Sequence, residues 1–325
     1  MADLIGWILL LIIFIWIYIV TKRHTQIKNF LLVAYFVRFL CVLINRYEIL
    51  ILPDSQFDAK TFELIARDFS REYGLLIIFD FLRTDSLLIS RIISLFYTIF
   101  GESKIIAQSI SVALGTVSVY LVYYLCNIIW DQKSAIKAAW FTALFPTLIL
   151  YSSLTFRETY IVFFLLLGLI SIVKFIKNKN IFSFTLVLLS FYILIFFHGA
   201  AALGGFIFLF YLILNLAKKQ LINLYNLKIN LFPFLFIIAS LVPIILLLTG
   251  NIKIPYLPSL LDLESIIFKA NAGINDIAAY PSWLIINNYY ELFYKVIIKF
   301  FYFLYSPFIW DLKTPYHIVG LFDGT

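Results

Sequence analysis

The sequence predicts an all-α membrane protein with about eight transmembrane helices, and two observations carry that prediction. First, the 325-residue chain is 63% hydrophobic and 13% charged, with a mean hydropathy of +0.99, whereas a soluble domain carries about 25% charge. A globule of this composition could not cover its surface with polar groups, and a bilayer removes the need. Second, apolar runs of spanning length recur at 4–20, 29–45, 105–127, 136–153, 158–175, 181–197, 199–216 and 230–249. A helix needs roughly 20 such residues to cross the hydrocarbon core.

Taken in order, the first run starts almost at Met1 without a basic leader or a small-residue cleavage site. It reads as a membrane helix, not a secretory signal. The connections within 136–175 and 181–216 are short enough to make each pair a helical hairpin. Segments 86–100 and 287–306 read as amphipathic helices at the outer interface, not as spans. Arg91 interrupts the first and is expected to snorkel. In the second, Glu291, Lys295 and Lys299 recur at i, i+4 and i+8, one polar stripe on a helix otherwise rich in Phe, Tyr and Ile. Pro146, Pro233 and Pro243 are the prolines within spans.

The short loops set an orientation. Loops 21–28, 128–137, 174–180 and 217–229 hold eleven basic residues against one acid, Asp131, and all four fall on one side if the eight spans alternate. The positive-inside rule makes that side cytoplasmic, in a plasma (inner) membrane, with Met1 and the long connections outside. The net charge of +7 is thereby read as topology, with membrane lipids as partners and no nucleic acid. The whole of 1–325 is one polytopic domain. Its first outer loop, 46–103, begins with the acidic segment 46–86, in which eight acids face five bases; the second outer region is 250–325. Loops long enough to fold lie on that face, so function is expected there. Cys41 and Cys126 are far apart in apolar stretches and read as small buried hydrophobes.

The candidate functional residues follow from charge and depth. Arg38 is a cation in mid-span, where charge is costly and either paired or functional. Arg157 and Glu158 sit in a tight outer turn, either as a helix-end anchor, Glu158 being favoured by the positive helix terminus, or as functional groups. His198 occupies an outer turn followed by Gly199, Ala200 and Ala201, small residues that admit a headgroup. Asp54 and Asp58 are four apart, on one face if the stretch is helical; Asp54 after Pro53 is equally an N-cap. Tyr280, Trp283, Tyr289 and Tyr290 suit either interfacial anchoring or stacking on a ligand.

The stretch 95–170, with FGES before a span, A-x-x-A after a basic turn, and LFP leading to YSS and an acid at Glu158, resembles the GT-C superfamily of polyprenyl-phosphate-sugar glycosyltransferases. The likeness is greatest to its family 39, protein mannosyltransferase-like group. PDSQFDAKTFELIA resembles that superfamily's first outer loop, with Asp58, Phe62 and Ala66 at the matching spacing; Phe62 stands where Tyr is more usual, and Ala59 where an acid often follows the Asp. SPFIW, residues 306–310, resembles a PFPW stretch of bacterial relatives. Such relatives continue with further spans past LFDGT, which implies a C-terminally truncated member.

The resemblance implies a GT-C-like fold and transfer of a sugar from a polyprenyl-phosphate donor to a hydroxyl of a glycan, lipid or protein acceptor. Asp58, with Asp54 second, is then the base that takes the hydroxyl proton. Arg157, Glu158, His198, Arg38 and Phe62 are the substrate-binding set, with Arg157 suited to a two-pronged phosphate contact. A divalent cation, Mg or Mn, is a further candidate for holding the departing phosphate. Alternatives are a polysaccharide repeat-unit polymerase, a lipid-linked sugar flippase or transporter, and a structural membrane subunit. The acidity of 46–86 and the outer placement of the polar groups favour chemistry at the interface.

Overall fold

The computed structural model describes residues 2–50, 52, 55–81, 83, 87–198, 204–205, 207–212, 214, 264, 267, 270–271, 281–305 and 308, and among them every regular element is helical. The chain divides into two units, 1–256 and 257–325. The first holds α1 (Ala2–Arg23), α2 (Thr25–Arg46), α3 (Asp58–Glu72), a 3-10 segment (Gly74–Asp80), α4 (Leu88–Phe100), α5 (Lys104–Ile129), α6 (Gln132–Leu144), α7 (Pro146–Ser153), α8 (Arg157–Asn178) and α9 (Ile181–Phe197).

α1, α2, α5 and α8 are long and apolar enough to cross a membrane, and α6 with α7 makes a fifth if the bent pair is one span. This complement is compatible with a chain that crosses a bilayer repeatedly. α9 is apolar but shorter, at 17 residues. The expected span 230–249, loop 217–229, half of 199–216, most of the region 250–280 and all but Phe308 of 306–325 lie outside the described residues.

α5 is the central post, packed by α1, α2, α6, α7 and α8. α1 is apolar all round, with Leu4, Leu11, Ile15 and Ile19 exposed, as suits a helix with lipid at its back. It approaches α5 closely because Gly6 has no side chain: a Cβ there would lie 2.8 Å from Ile105.

Polar contacts define the two ends of the bundle. Asp3 pairs with Arg46 and accepts a 2.6 Å hydrogen bond from Ser103, which gathers the start of α1, the end of α2 and the start of α5. At the other end Lys177 donates to the Ile128 carbonyl at 2.5 Å, joining the ends of α8 and α5. The lysine-rich turns 21–28, 128–137 and 174–180 thus share one end, and α3, the 3-10 segment and α4 cap the other.

In that cap, α3 turns Ala59, Phe62 and Ala66 inward at i, i+3 and i+7. Ser90 of α4 donates to the Phe62 carbonyl at 3.0 Å. Arg71 grips Glu102 with two bonds of 2.7 and 3.0 Å. The helix expected over 86–100 is present, but Arg91 does not snorkel. It is 1% exposed, with its guanidinium 5.5 Å from the Phe69 ring centroid. α3 covers that face of α4 and leaves the side chain no path to water.

The run 136–153, read as one span, is broken instead: α6 and α7 meet at a 59° bend at Phe145. Pro146 offers no N–H to continue the ladder, and its ring opposes the carbonyl four residues back. It serves as the first residue of a new helix, a position proline suits.

In the second unit, residues 281–305 form a 3-10 turn (Ser282–Leu284) and α10 (Tyr289–Tyr305). The polar stripe is where its spacing puts it but faces inward. Lys295 donates to Glu291 at 3.0 Å and to the Ile285 carbonyl at 2.5 Å, and Lys299 donates to the Ala270 carbonyl at 2.5 Å. Tyr290, Phe293 and Ile297 are exposed. The stripe satisfies backbone carbonyls of the segment before the helix, which apolar side chains could not.

Candidate functional site

The break between α6 and α7 leaves carbonyls at the end of α6 without amide partners, and Arg38 of α2 answers one of them. Its Nη1 donates to the Ala143 carbonyl at 3.3 Å and to the Ala34 carbonyl at 2.9 Å, and Nε donates to Ser152 Oγ at 2.7 Å. Ser152 in turn donates to the Leu148 carbonyl. A cation at a helix C-terminus is favoured by the dipole. No carboxylate pairs with Arg38 among the described residues, although the side chain is 1% exposed.

Arg38 lines a small cleft of about 30 Å³. Ser152, Glu158, Thr159, Gly115 and Ser118 line it too, so a lone cation and a carboxylate share one hollow between α2, α5, α7 and α8. Gly115 makes the crossing of α5 and α7 tight enough for this. A Cβ there would meet Ser152 Cβ at 2.2 Å and Arg38 Nε at 3.0 Å.

Next to the cleft, Arg157 Nε lies 3.3 Å from Glu158 Oε1, and its guanidinium is 6.0 Å from the Phe62 ring centroid. The pair opens α8, where the acid meets the positive helix end. α3 is held here by Ala59, packed with Leu154 and Phe156. Tyr160 of α8 stacks on Phe197 at 5.3 Å and fixes the end of α9, which places His198 within electrostatic reach of Arg157 and Glu158.

The structure thus brings together five of the expected site residues: Arg38 and Glu158 in the cleft, Arg157, Phe62 and His198 around Glu158. Asp58 stands apart from the cleft lining, exposed in the first turn of α3, one turn before Phe62. Asp54 lies outside the described residues, as do Gly199, Ala200, Ala201 and Tyr280. Trp283, Tyr289 and Tyr290 are exposed in the second unit. Among the described residues no three His, Cys, Asp or Glu side chains gather as metal ligands.

Two features were missed by the sequence reading. Glu63, five residues after Asp58, is the half-buried carboxylate of α3, accepting from Thr155 Oγ1 at 2.6 Å. Burial pushes its pKa up, against the pull of Thr155 and Lys104. The other is a buried polar face on α5, Gln108, Ser111, Gly115 and Ser118, at i, i+3, i+7 and i+10, a spacing visible in KIIAQSISVALGTVSVY. Gln108 is fully buried, and both amide atoms lack partners among the described residues.

His198 titrates below its ordinary 6.5, chiefly from burial and next from the Arg157 charge, with Glu158 opposing. The fold therefore prefers the neutral ring, and the unfolded chain takes up the proton first as pH falls through about 6.5. Relative to His198→Asn, the wild type is expected to lose thermal stability between pH 7.5 and pH 5, read by unfolding in detergent. Parallel curves for the two proteins would contradict the assignment.

No known protein family, curated protein or solved structure matches this chain.

Proposed function

We propose that the protein is a membrane glycosyltransferase of the GT-C kind, crossing an inner membrane about eight times with the lysine-rich turns cytoplasmic. It moves a sugar from a polyprenyl-phosphate donor to an acceptor hydroxyl at the outer end of the bundle. The observation that supports this most is the meeting of Arg38, Glu158, Arg157 and His198 at the end opposite the lysine-rich turns. A lipid phosphate needs a cation at headgroup depth; Arg157 opens α8 at that end, and Arg38 lies about two helical turns deeper.

The chemistry follows from the groups. The acceptor oxygen bonds to the anomeric carbon, the bond from that carbon to the phosphate oxygen breaks, and the lipid phosphate leaves with the electron pair. Asp58, on the helix whose Phe62 underlies Arg157, takes the acceptor proton. Arg157 meets the charge that grows on the phosphate, with Arg38 deeper in the cleft and His198 as a further donor. Glu158 orients Arg157 and offers an acceptor for a sugar hydroxyl.

A second reading, a flippase or transporter for the same lipid-linked sugar, draws support from the broken α6–α7 pair. Transporters place substrates beside interrupted helices near the bilayer midplane, and Arg38 stands at such a break. Incubating proteoliposomes with labelled polyprenyl-phosphate sugars separates the readings. Transfer is expected in the wild type and about 100-fold or more slower with Asp58→Asn. Transfer unchanged by Asp58→Asn would remove Asp58 from the chemistry. Movement of donor across the bilayer without transfer, intact in the variant, would favour the second reading.

A further inference from the structure

At the lysine-rich end, far along α5 from Gln108, two hollows adjoin. One, of about 270 Å³, is walled by His24, Thr25, Gln26, Tyr120 and Tyr123. The other, of about 170 Å³, is walled by Trp16, Val20, Leu31, Val117 and Tyr120. Tyr120 belongs to both. Along α1 the walls advance from Trp16 through Val20 to His24, and along α5 from Val117 through Tyr120 to Tyr123. Each step is about one helical turn toward the same end. The apolar hollow is therefore the deeper and the polar one lies at the rim.

The rim is polar: His24, Thr25 and Gln26 are exposed there beside the Tyr120 and Tyr123 rings, and Tyr123 is 8% exposed with its ring tilted against Phe30 at 5.5 Å. The turn 21–28 adds Lys22, Arg23 and Lys28 and no acid, with the Lys28 ammonium 5.9 Å from the Tyr18 ring centroid. We propose that the two hollows together bind one anionic phospholipid from the leaflet on the lysine-rich side. An acyl chain fills the groove beside Val117, and the phosphate sits at the rim among the tyrosine hydroxyls and the cations of the turn. The apolar part suits only a molecule with a hydrocarbon tail, and the acid-free turn selects a negative head.

Native mass spectrometry of the full chain, stripped of lipid and offered equal phosphatidylglycerol and phosphatidylcholine, tests this. The wild type is expected to keep one phosphatidylglycerol through activation that removes the rest, with a preference of about tenfold. Lys22→Gln with Lys28→Gln is expected to erase the preference, and Val117→Trp to reduce retention of both lipids. The lysines lie at the end of the bundle, so that variant folds and decides the matter alone if Val117→Trp does not. Equal retention of the two lipids by the wild type, or an unchanged preference in the lysine variant, would reduce the hollows to ordinary annular contact and overturn the proposal.

Discussion

Replacing Arg38 with methionine is expected to cut sugar transfer by about 100-fold or more while leaving a folded, monodisperse protein. The two halves of that expectation have separate causes. Arg38 holds three protein hydrogen bonds, to Ser152 and to the Ala34 and Ala143 carbonyls, and hydrogen bonds to a charged group contribute about 1.5–3 kcal/mol each at most. Against that, a lone arginine at the centre of a span costs about 2.5–3.5 kcal/mol on insertion scales, and methionine relieves it. The three bonds total about 4.5–9 kcal/mol, so the terms oppose one another without cancelling: the variant is expected to be destabilised yet to assemble, and transfer is read on its folded, monodisperse fraction. What methionine cannot replace is the positive charge facing Glu158 across the cleft. Arg38→Lys restores the charge without the planar fork and is expected to recover part of the activity. If Arg38 served only to close the end of α6, methionine would unfold the protein and lysine would rescue its stability, with transfer following stability in both. Circular dichroism and size exclusion beside the transfer assay separate the outcomes; full transfer by a folded Arg38→Met protein would exclude Arg38 from the reaction.

The helices were legible where hydropathy alone decides. α1, α2, α5, α8 and α9 lie within a few residues of the apolar runs that predict them, because a bilayer imposes one rule on every spanning segment. What was not legible depends on partners distant in sequence. Pro146 is plain in the sequence, but the break it makes is held by Arg38, more than a hundred residues earlier. Arg91 reads as an interfacial cation until α3 is laid over it. The stripe Glu291, Lys295 and Lys299 gives the helix and its phase, yet the Ile285 and Ala270 carbonyls that turn it inward are partners the spacing cannot show.

The candidate site divides the same way. Depth and charge pick out Arg38, Arg157, Glu158 and His198 one by one. The phase of α3, set by the packing of Ala59, Phe62 and Ala66, decides that Glu63 turns inward while Asp58 faces water. Composition carries no trace of that phase. The polar face of α5 is present as a spacing, but its small residues gain meaning only when Arg38 and Ser152 are seen across from it.

Gly115 is where fold and site depend on the same atom that is missing. Gly115→Ala would set a methyl carbon 2.2 Å from Ser152 Cβ and 2.6 Å from its Oγ, where nonbonded carbons rest about 3.5–4 Å apart. Neither obstacle is the end of a flexible chain: Ser152 is one bond from the backbone of α7 and is fixed by Arg38. α5 and α7 must separate, at a cost of about 1–3 kcal/mol for overpacking, and the Arg38 guanidinium, 3.0 Å from the added atom, must move with them. Lower thermal stability and a loss of transfer larger than that stability loss explains are expected together, with Gly115→Leu failing to assemble. Gly168→Ala is the matched control. It also lies at a helix crossing, but its added atom meets the rim of the Phe191 ring at 3.0 Å, which yields by a small rotation, so transfer should persist. Thermal unfolding in detergent and donor turnover on the two alanine variants decide the point. Equal effects would mean that Gly115 only accommodates packing; a deficit confined to Gly115→Ala means that the cleft owes its shape to the hydrogen atom there.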